Sequence, residues 1–327
     1  MSRVELTAKI ATHITNAETQ SEKLAILTKY KKESLIKRIV NYAYNPLFDY
    51  NMADFEPKNF GKKHGMGISK FIHIFEDILT NQFDKPEAIF ACNLALSYIN
   101  IHEASIFIGI LHKEIGWNLE PDTINQVWPD INTGYPIQNP SPFTLAKFKQ
   151  YEMPVVAQQL YSGLRINISV NGKNAKFKDS SGTRIYTLDD YATQFVNLAQ
   201  HGDTVFDGVA VISKDGEIVE STVEEILAAD SESVRFILWD AIRYDGFIDG
   251  KDTRIGYNWR YNGLEHMMML AIESNPVPCY GMATAKVCSD LNEVRKFSEG
   301  IDSDVIIKSL SGTWHNGITD SELIFRK

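Results

Sequence analysis

Residues 156–170 read VAQQLYSGLRINISV. The run opens on apolar residues, breaks at Ser162-Gly163, and resumes with Ile166, Ile168 and Val170 alternating with polar positions. Alternation at period two marks a half-buried strand, and the Asn171-Gly172 that follows is a hairpin signal. The same signature returns in VFDGVAVISKDGEIVE (205–220), where Asp215-Gly216 separates two apolar runs. RFILWDAI (235–242) and DVIIKSL (304–310) read as further strands. Helical spacing intervenes at Tyr191, Phe195 and Leu198 and again from Leu264 to Ile272, so this part of the chain is predicted as α+β with mostly antiparallel strands.

Toward the start the period changes. In SKFIHIFEDILT (69–80), Phe71, Ile74, Phe75, Ile78 and Leu79 fall on one helical face, with Ser69 placed to cap it. Similar stripes run through Leu6, Ile10 and Ile14, through Leu35, Ile39 and Tyr42, and through Ile106, Ile110 and Leu111. WPDINTGYPIQNPSP, from Trp128, has no period and is dense in Pro, Asn and Gly, which marks a linker. The predicted organisation is an all-α domain over 1–132 followed by an α+β domain over 133–327. Met267, Met268 and Met269 are read as helix packing residues.

A chain of 327 residues, 44% of them hydrophobic, can bury sizeable cores. A run apolar enough to cross a bilayer is not seen, nor is a signal-peptide core, so no membrane role and a cytoplasmic location are expected. Cys92, Cys279 and Cys288 form no CxxC pair and the eight histidines no HExxH, which points away from a disulfide framework or zinc site. The net charge of −9 argues against nucleic-acid binding by bulk electrostatics, leaving local patches for any DNA contact.

The order of segments resembles the ATP-dependent DNA ligases of tailed bacteriophages over nearly the whole length. SEKLAILTKYKKESLIKRIVNYAYNP (21–46) and INQVWPDI (124–131) are similar to helices of the ligase DNA-binding domain; YNWRYNGLEHM (257–267) and VRFILWDAI (234–242) match segments of the adenylation domain. The resemblance implies an adenylation-type nucleotidyltransferase fold after a helical DNA-binding-like domain. It also implies roles: Trp239 to stack adenine, with Gly163, Arg165, Lys308 and Lys327 at the nucleotide.

The family's chemistry begins with the lysine of K-x-D-G-x-R, whose neutral amine attacks the α-phosphate of ATP. The matching residues here are Leu160 to Arg165, and Leu160 has no nucleophilic atom. Val209 and Ser303 stand where glutamates are expected to hold ribose or metal, Asp304 replaces a glycine, Ser180 an arginine, and Phe325 the first lysine of the final K-x-K. Lys147 and Lys149, offered as substitute nucleophiles, precede the strand by roughly four or more residues at ~3.3 Å each. The closing OB-fold domain of such ligases is expected to be absent. The expectation is therefore a catalytically inactive ligase-like protein with no catalytic residue and no metal site.

Some readings remain open beside the resemblance. Trp239 is either an adenine platform or core, Arg165 a phosphate ligand or an exposed strand residue, and Lys308 directed into the pocket or to solvent. ATP or AMP could occupy the altered pocket. GKKHGMGISK (61–70) places Lys62, Lys63 and Lys70 around glycines, which suits a phosphate backbone; with Lys58 these are the candidate DNA contacts. The run Lys29, Lys31, Lys32, Lys37, Arg38 reads as a solvated helix face or a further DNA contact. DNA, nicked or ended, is the expected partner; the alternatives are a factor that binds a nucleotide or a host or phage protein, and an active ligase with a non-standard site.

Overall fold

The computed structural model describes residues 3–52, 54–58, 64–80, 82–199, 202–230, 232–274 and 278–326. The chain divides into two compact units, Met1–Tyr135 and Pro136–Lys327.

In the first unit the helical stripes close on one another as α1 (Arg3–Asn16), α2 (Gln20–Lys29), α3 (Ser34–Tyr44), α4 (His73–Leu79), α5 (Lys85–Tyr98), α6 (Ile101–Leu111) and α7 (Pro121–Val127). Capping boxes start α2 and α5: Thr19 and Asp84 accept the N3 amide N–H, while Glu22 and Glu87 reach back to the cap. The buried stripe residues, among them Ile10, Leu27, Ile39, Phe75 and Phe107, form one core, each contributing about 1.5–3 kcal/mol by burial. The helix expected from Ser69 begins later. Buried Glu103 accepts the Ile68 N–H at 2.8 Å and the Asn100 amide at 2.9 Å, and residues Ile68–Lys70 form a 3-10 turn. α4 therefore starts at His73 with no side-chain cap. Burial pushes the Glu103 carboxyl above its ordinary range.

The second unit runs β1 (Gln138–Pro142), α8 (Leu145–Phe148), β2 (Val155–Gln159), β3 (Leu164–Asn171), β4 (Asn174–Asp179), α9 (Ala192–Leu198), β5 (Thr204–Lys214), β6 (Glu217–Val219), α10 (Val223–Ala228), β7 (Val234–Arg243), α11 (Tyr244–Ile248), β8 (Lys251–Gly256), α12 (Tyr257–Ser274), β9 (Tyr280–Met282), β10 (Ala285–Cys288), α13 (Leu291–Glu299), β11 (Val305–Ser309), β12 (Thr313–His315) and β13 (Gly317–Phe325). One sheet has the order β1-β13-β11-β2-β10 and a second β4-β3-β5-β7-β9, with β6 paired to β5; β8 and β12 form a separate pair. β1 with β13 and β7 with β9 are parallel and the remaining pairs antiparallel. Both hairpins occur: Asn171 pairs with Asn174 around Gly172, and Lys214 with Glu217 around Asp215 and Gly216, both at positive φ.

β2 and β3 belong to different sheets. The stretch 156–170 is thus the crossing from one sheet to the other. Part of the expected linker is also strand: Gln138–Pro142 is β1, at the edge of its sheet, where prolines lacking an N–H are tolerated. Each sheet has its own core, one built on Phe177, Phe195, Phe206 and Phe236, the other on Val155, Ala157, Val305 and Ile307. Met268 packs in the first of these, whereas Met269, expected as a packing residue, is 64% exposed.

All three cysteines are buried and unbridged. Burial pushes the thiols of Cys92 and Cys279 up to about 12 and raises that of Cys288. Thiolate is the reactive species. Ellman's reagent at pH 8 should therefore label none of the three rapidly in the native protein and all three after denaturation; fast native labelling would contradict this packing.

Candidate functional site

At the sheet crossing the backbone of β2 is held on both sides. The Gln159 N–H donates to the Thr284 carbonyl at 2.8 Å and the Leu160 N–H to that of Asp304 at 3.0 Å. The Leu160 side chain then lines a cleft of about 240 Å³ between the two sheets, with Gln158, Ile306, Lys308 and Glu322 from one sheet and Arg165 and Trp239 from the other. Three residues on, Gly163 has φ +156°, and a Cβ there would lie 2.5 Å from the Ala210 carbonyl oxygen. Glycine is thus required here by the backbone, whatever the cleft contains.

Trp239 reaches the cleft through a bulge. In the β5–β7 register Asp207 faces Asp240 and Gly208 faces Leu238, which leaves Trp239 without a partner. A Cβ on Gly208 would meet the Ile237 carbonyl oxygen at 2.4 Å, so this crowded pairing also needs glycine. Trp239 is half-buried and faces the cleft instead of the core.

The charges in the cleft are paired. Arg165 donates from Nε and Nη2 to Asp207 at 3.3 and 2.8 Å, and from Nη1 and Nη2 to Asn139 Oδ1 and the Gln138 carbonyl at 2.9 and 2.6 Å. Its guanidinium also lies 5.7 Å from the Trp239 ring. Lys308 is buried, with Nζ 3.1 Å from Glu322 Oε1 and 4.5 Å from the centre of the Tyr257 ring. The Tyr257 hydroxyl donates to the Trp239 carbonyl at 3.0 Å and accepts from Gln158 at 3.3 Å. Behind this layer Arg260 and Asp240 form a fully buried pair at 2.8 and 3.1 Å.

Leu160, Arg165, Trp239 and Lys308 are brought together around the cleft, while Gly163 shapes its wall from behind. Lys327, Lys62 and Lys63 lie outside the described residues. Lys58 and Lys70 are exposed in the first unit. In the basic run, Lys37 pairs with Asp130 at 2.5 Å and Arg38 with Glu76 at 3.1 Å, whereas Lys29, Lys31 and Lys32 are exposed. Lys147 pairs with Asp320 at 2.7 Å, Lys149 is exposed, and neither lines the cleft.

Two of the positions expected to be polar by resemblance, Val209 and Phe325, have packing roles. Val209 is buried with a methyl group 2.8 Å from where a Gly163 Cβ would stand, and Phe325 meets Phe143 edge-on at 5.0 Å. At Ser180, Asp179 closes the turn by accepting from Ser181 and Thr183. Among the described residues no group of three or more His, Cys, Asp or Glu side chains is placed to hold a metal ion. Sequence reasoning missed Glu322, Tyr257 and the three cleft glutamines, Gln138, Gln158 and Gln159. The only signal for Glu322 is that it faces Lys308 across the β11–β13 register.

The sequence matches no family model and no curated protein. Among solved structures the chain is similar to Pmar-Lig_PreS3, with 12% identity over 98% of this chain and 78% of that one at a TM-score of 0.51. It is similar to Pmar-Lig_Pre., with 13% identity over 98% and 77% at 0.52. An ATP-dependent DNA ligase from bacteriophage T7 in complex with ATP aligns over 59% of this chain and 68% of its own at 14% identity and a TM-score of 0.49. At such identities the likeness is one of fold alone: the chain shares the fold of the two Pmar-Lig structures over nearly its whole length, and the sheets of its second unit are mixed and mostly antiparallel.

Removing one member of a buried ion pair strands the other. Lys308→Met should lower the unfolding free energy in urea by about 3–5 kcal/mol, and the double variant Lys308→Met/Glu322→Leu should recover most of that loss. A single variant as stable as the parent would mean that the pair is solvated in solution.

Proposed function

We propose that this protein binds DNA through its first unit and does not charge itself with AMP. The observation that carries this reading is the composition of the cleft: an aliphatic side chain stands at the nucleophile position, and both cations that line it, Arg165 and Lys308, are ion-paired to carboxylates of the same chain. Capture of an α-phosphate needs an available amine and unpaired positive charge for the triphosphate and its transition state. Arg165 would have to leave Asp207 to supply it. The cleft is also smaller than the ~300 Å³ at which small-molecule sites usually begin; this favours a base-sized occupant over ATP.

The DNA half of the proposal is supported by the fold and by the division of charge. Residues 1–135 carry 14 lysines and arginines against 16 acids, and residues 136–327 carry 19 against 26. Most of the net negative charge thus lies in the second unit, leaving exposed Lys29, Lys31, Lys32, Lys58 and Lys70 in a nearly neutral first unit. Phosphate contacts by lysines give salt-dependent binding that is weakly specific for sequence.

Two measurements test the halves separately. Incubation with ATP and magnesium followed by intact-mass spectrometry should leave the mass unchanged; a covalent AMP adduct would overturn the inactive-cleft reading. Nicked duplex should be retarded in a gel-shift assay at low salt and released as salt rises. With no retardation at low salt, the DNA reading falls, and a melting-temperature rise with a nucleotide or a protein partner would take its place.

A further inference from the structure

α5 is apolar on both sides. Its inner face, Ala88, Cys92, Ala95 and Leu96, belongs to the core of the first unit. Its outer face carries Phe90, Leu94 and Tyr98 at four-residue spacing, 70%, 49% and 44% exposed, continued by Ile101 at 50% and Met66 at 54%. A surface helix ordinarily turns charged residues outward, and a helix hydrophobic all round is normally covered all round. Among the exposed residues on the outward line of α5, Glu87 at its N-terminal end is the one with a charge.

We propose that this face is the interface of a two-fold homodimer in which α5 packs antiparallel on α5 of a second copy. Three features favour a second copy as the occupant. The stripe is self-complementary: with Leu94 on the two-fold axis, Phe90 and Tyr98 lie four residues to either side. Phe90 then meets Tyr98 of the other copy, as an isologous contact requires, and aromatic pairs add to simple burial.

The ends match in charge. The segment beside the C-terminal end of α5 is fixed there by the Asn100 N–H donating to the Met66 carbonyl at 3.0 Å and by Phe71 stacking on Tyr98 at 6.4 Å. Its next residue, Lys70, is exposed. Antiparallel pairing brings Glu87 of each copy toward Lys70 of the other, which leaves Lys29, Lys31, Lys32 and Lys58 as the lysines for DNA contact. The area is also sufficient: the five side chains expose on the order of 500 Å², so two copies would bury about 1,000 Å², the lower bound for a specific interface.

Sedimentation velocity from low to high micromolar concentration should show a monomer–dimer equilibrium. Leu94→Lys sets two like charges on the axis and should raise the dimer dissociation constant about tenfold or more, with a melting temperature equal to the parent's by circular dichroism at dilutions where both are monomeric. Leu94→Cys should form a disulfide-linked dimer under mild oxidation, whereas Phe90→Cys, off the axis, should not link to itself. A wild-type protein that is monomeric at every concentration overturns the proposal, whether the face is then covered by DNA, by another protein or by nothing. A dimer indifferent to Leu94→Lys overturns it equally.

Discussion

The bond between Arg165 and Asp207 holds the site in its present form. Asp207 is nearly buried in its sheet and also accepts from the Asn167 amide at 3.0 Å. Arg165 also donates to Asn139 and the Gln138 carbonyl, which belong to β1 of the other sheet. One guanidinium therefore ties the two sheets together at the crossing and lies against Trp239. A planar cation with a rigid fork of donors can make all these bonds at once; a lysine could not. The same arrangement engages four of its five N–H groups, so a phosphate would have to compete with Asp207 for the fork.

The surviving motif residues can be explained without catalysis. Gly163 and Gly208 are where a side chain would strike a neighbouring carbonyl. Asp240 and Arg260 are each other's counter-ion in a place that water does not reach, and a buried charge without its partner is far more costly than the intact pair. Retention of such residues is evidence of a retained backbone. Chemistry has to be judged from the cleft lining itself, where Leu160 is aliphatic and both cations are paired.

Local periodicity made much of the fold legible. The hairpins at Asn171-Gly172 and Asp215-Gly216 rest on contacts within a few residues, and the strands through Ile166 and Phe236 and the stripes of α1, α3 and α6 carry an apolar period that repeats within a few residues. β1 was not legible, because QNPSP owes its strand character to β13, nearly two hundred residues away, and not to its own composition. The start of α4 was missed for a similar reason: Glu103, thirty-five positions on, settles the turn at Ile68. At the site, Leu160, Arg165, Trp239 and Lys308 could be named in advance, but the carboxylates that pair the two cations could not. That depended on strand register, which sets Glu322 opposite Lys308 and Asp207 two residues along from the position facing Arg165.

On the reading proposed above, in which Leu160 stands where such a cleft would hold a lysine, the absence of the amine reinforces itself. A buried amine kept available for attack must be held in a low-dielectric site without a full counter-ion, at a desolvation cost of several kcal/mol. Leu160 has no such cost and gains contact with the apolar wall. Without a nucleophile, unpaired positive charge beside it serves no reaction, so a carboxylate facing Lys308 becomes favourable; Glu322 occupies that place. Each change makes the next stabilising. Restoring a lysine at position 160 alone would then set a third cation into a cleft whose charges already balance.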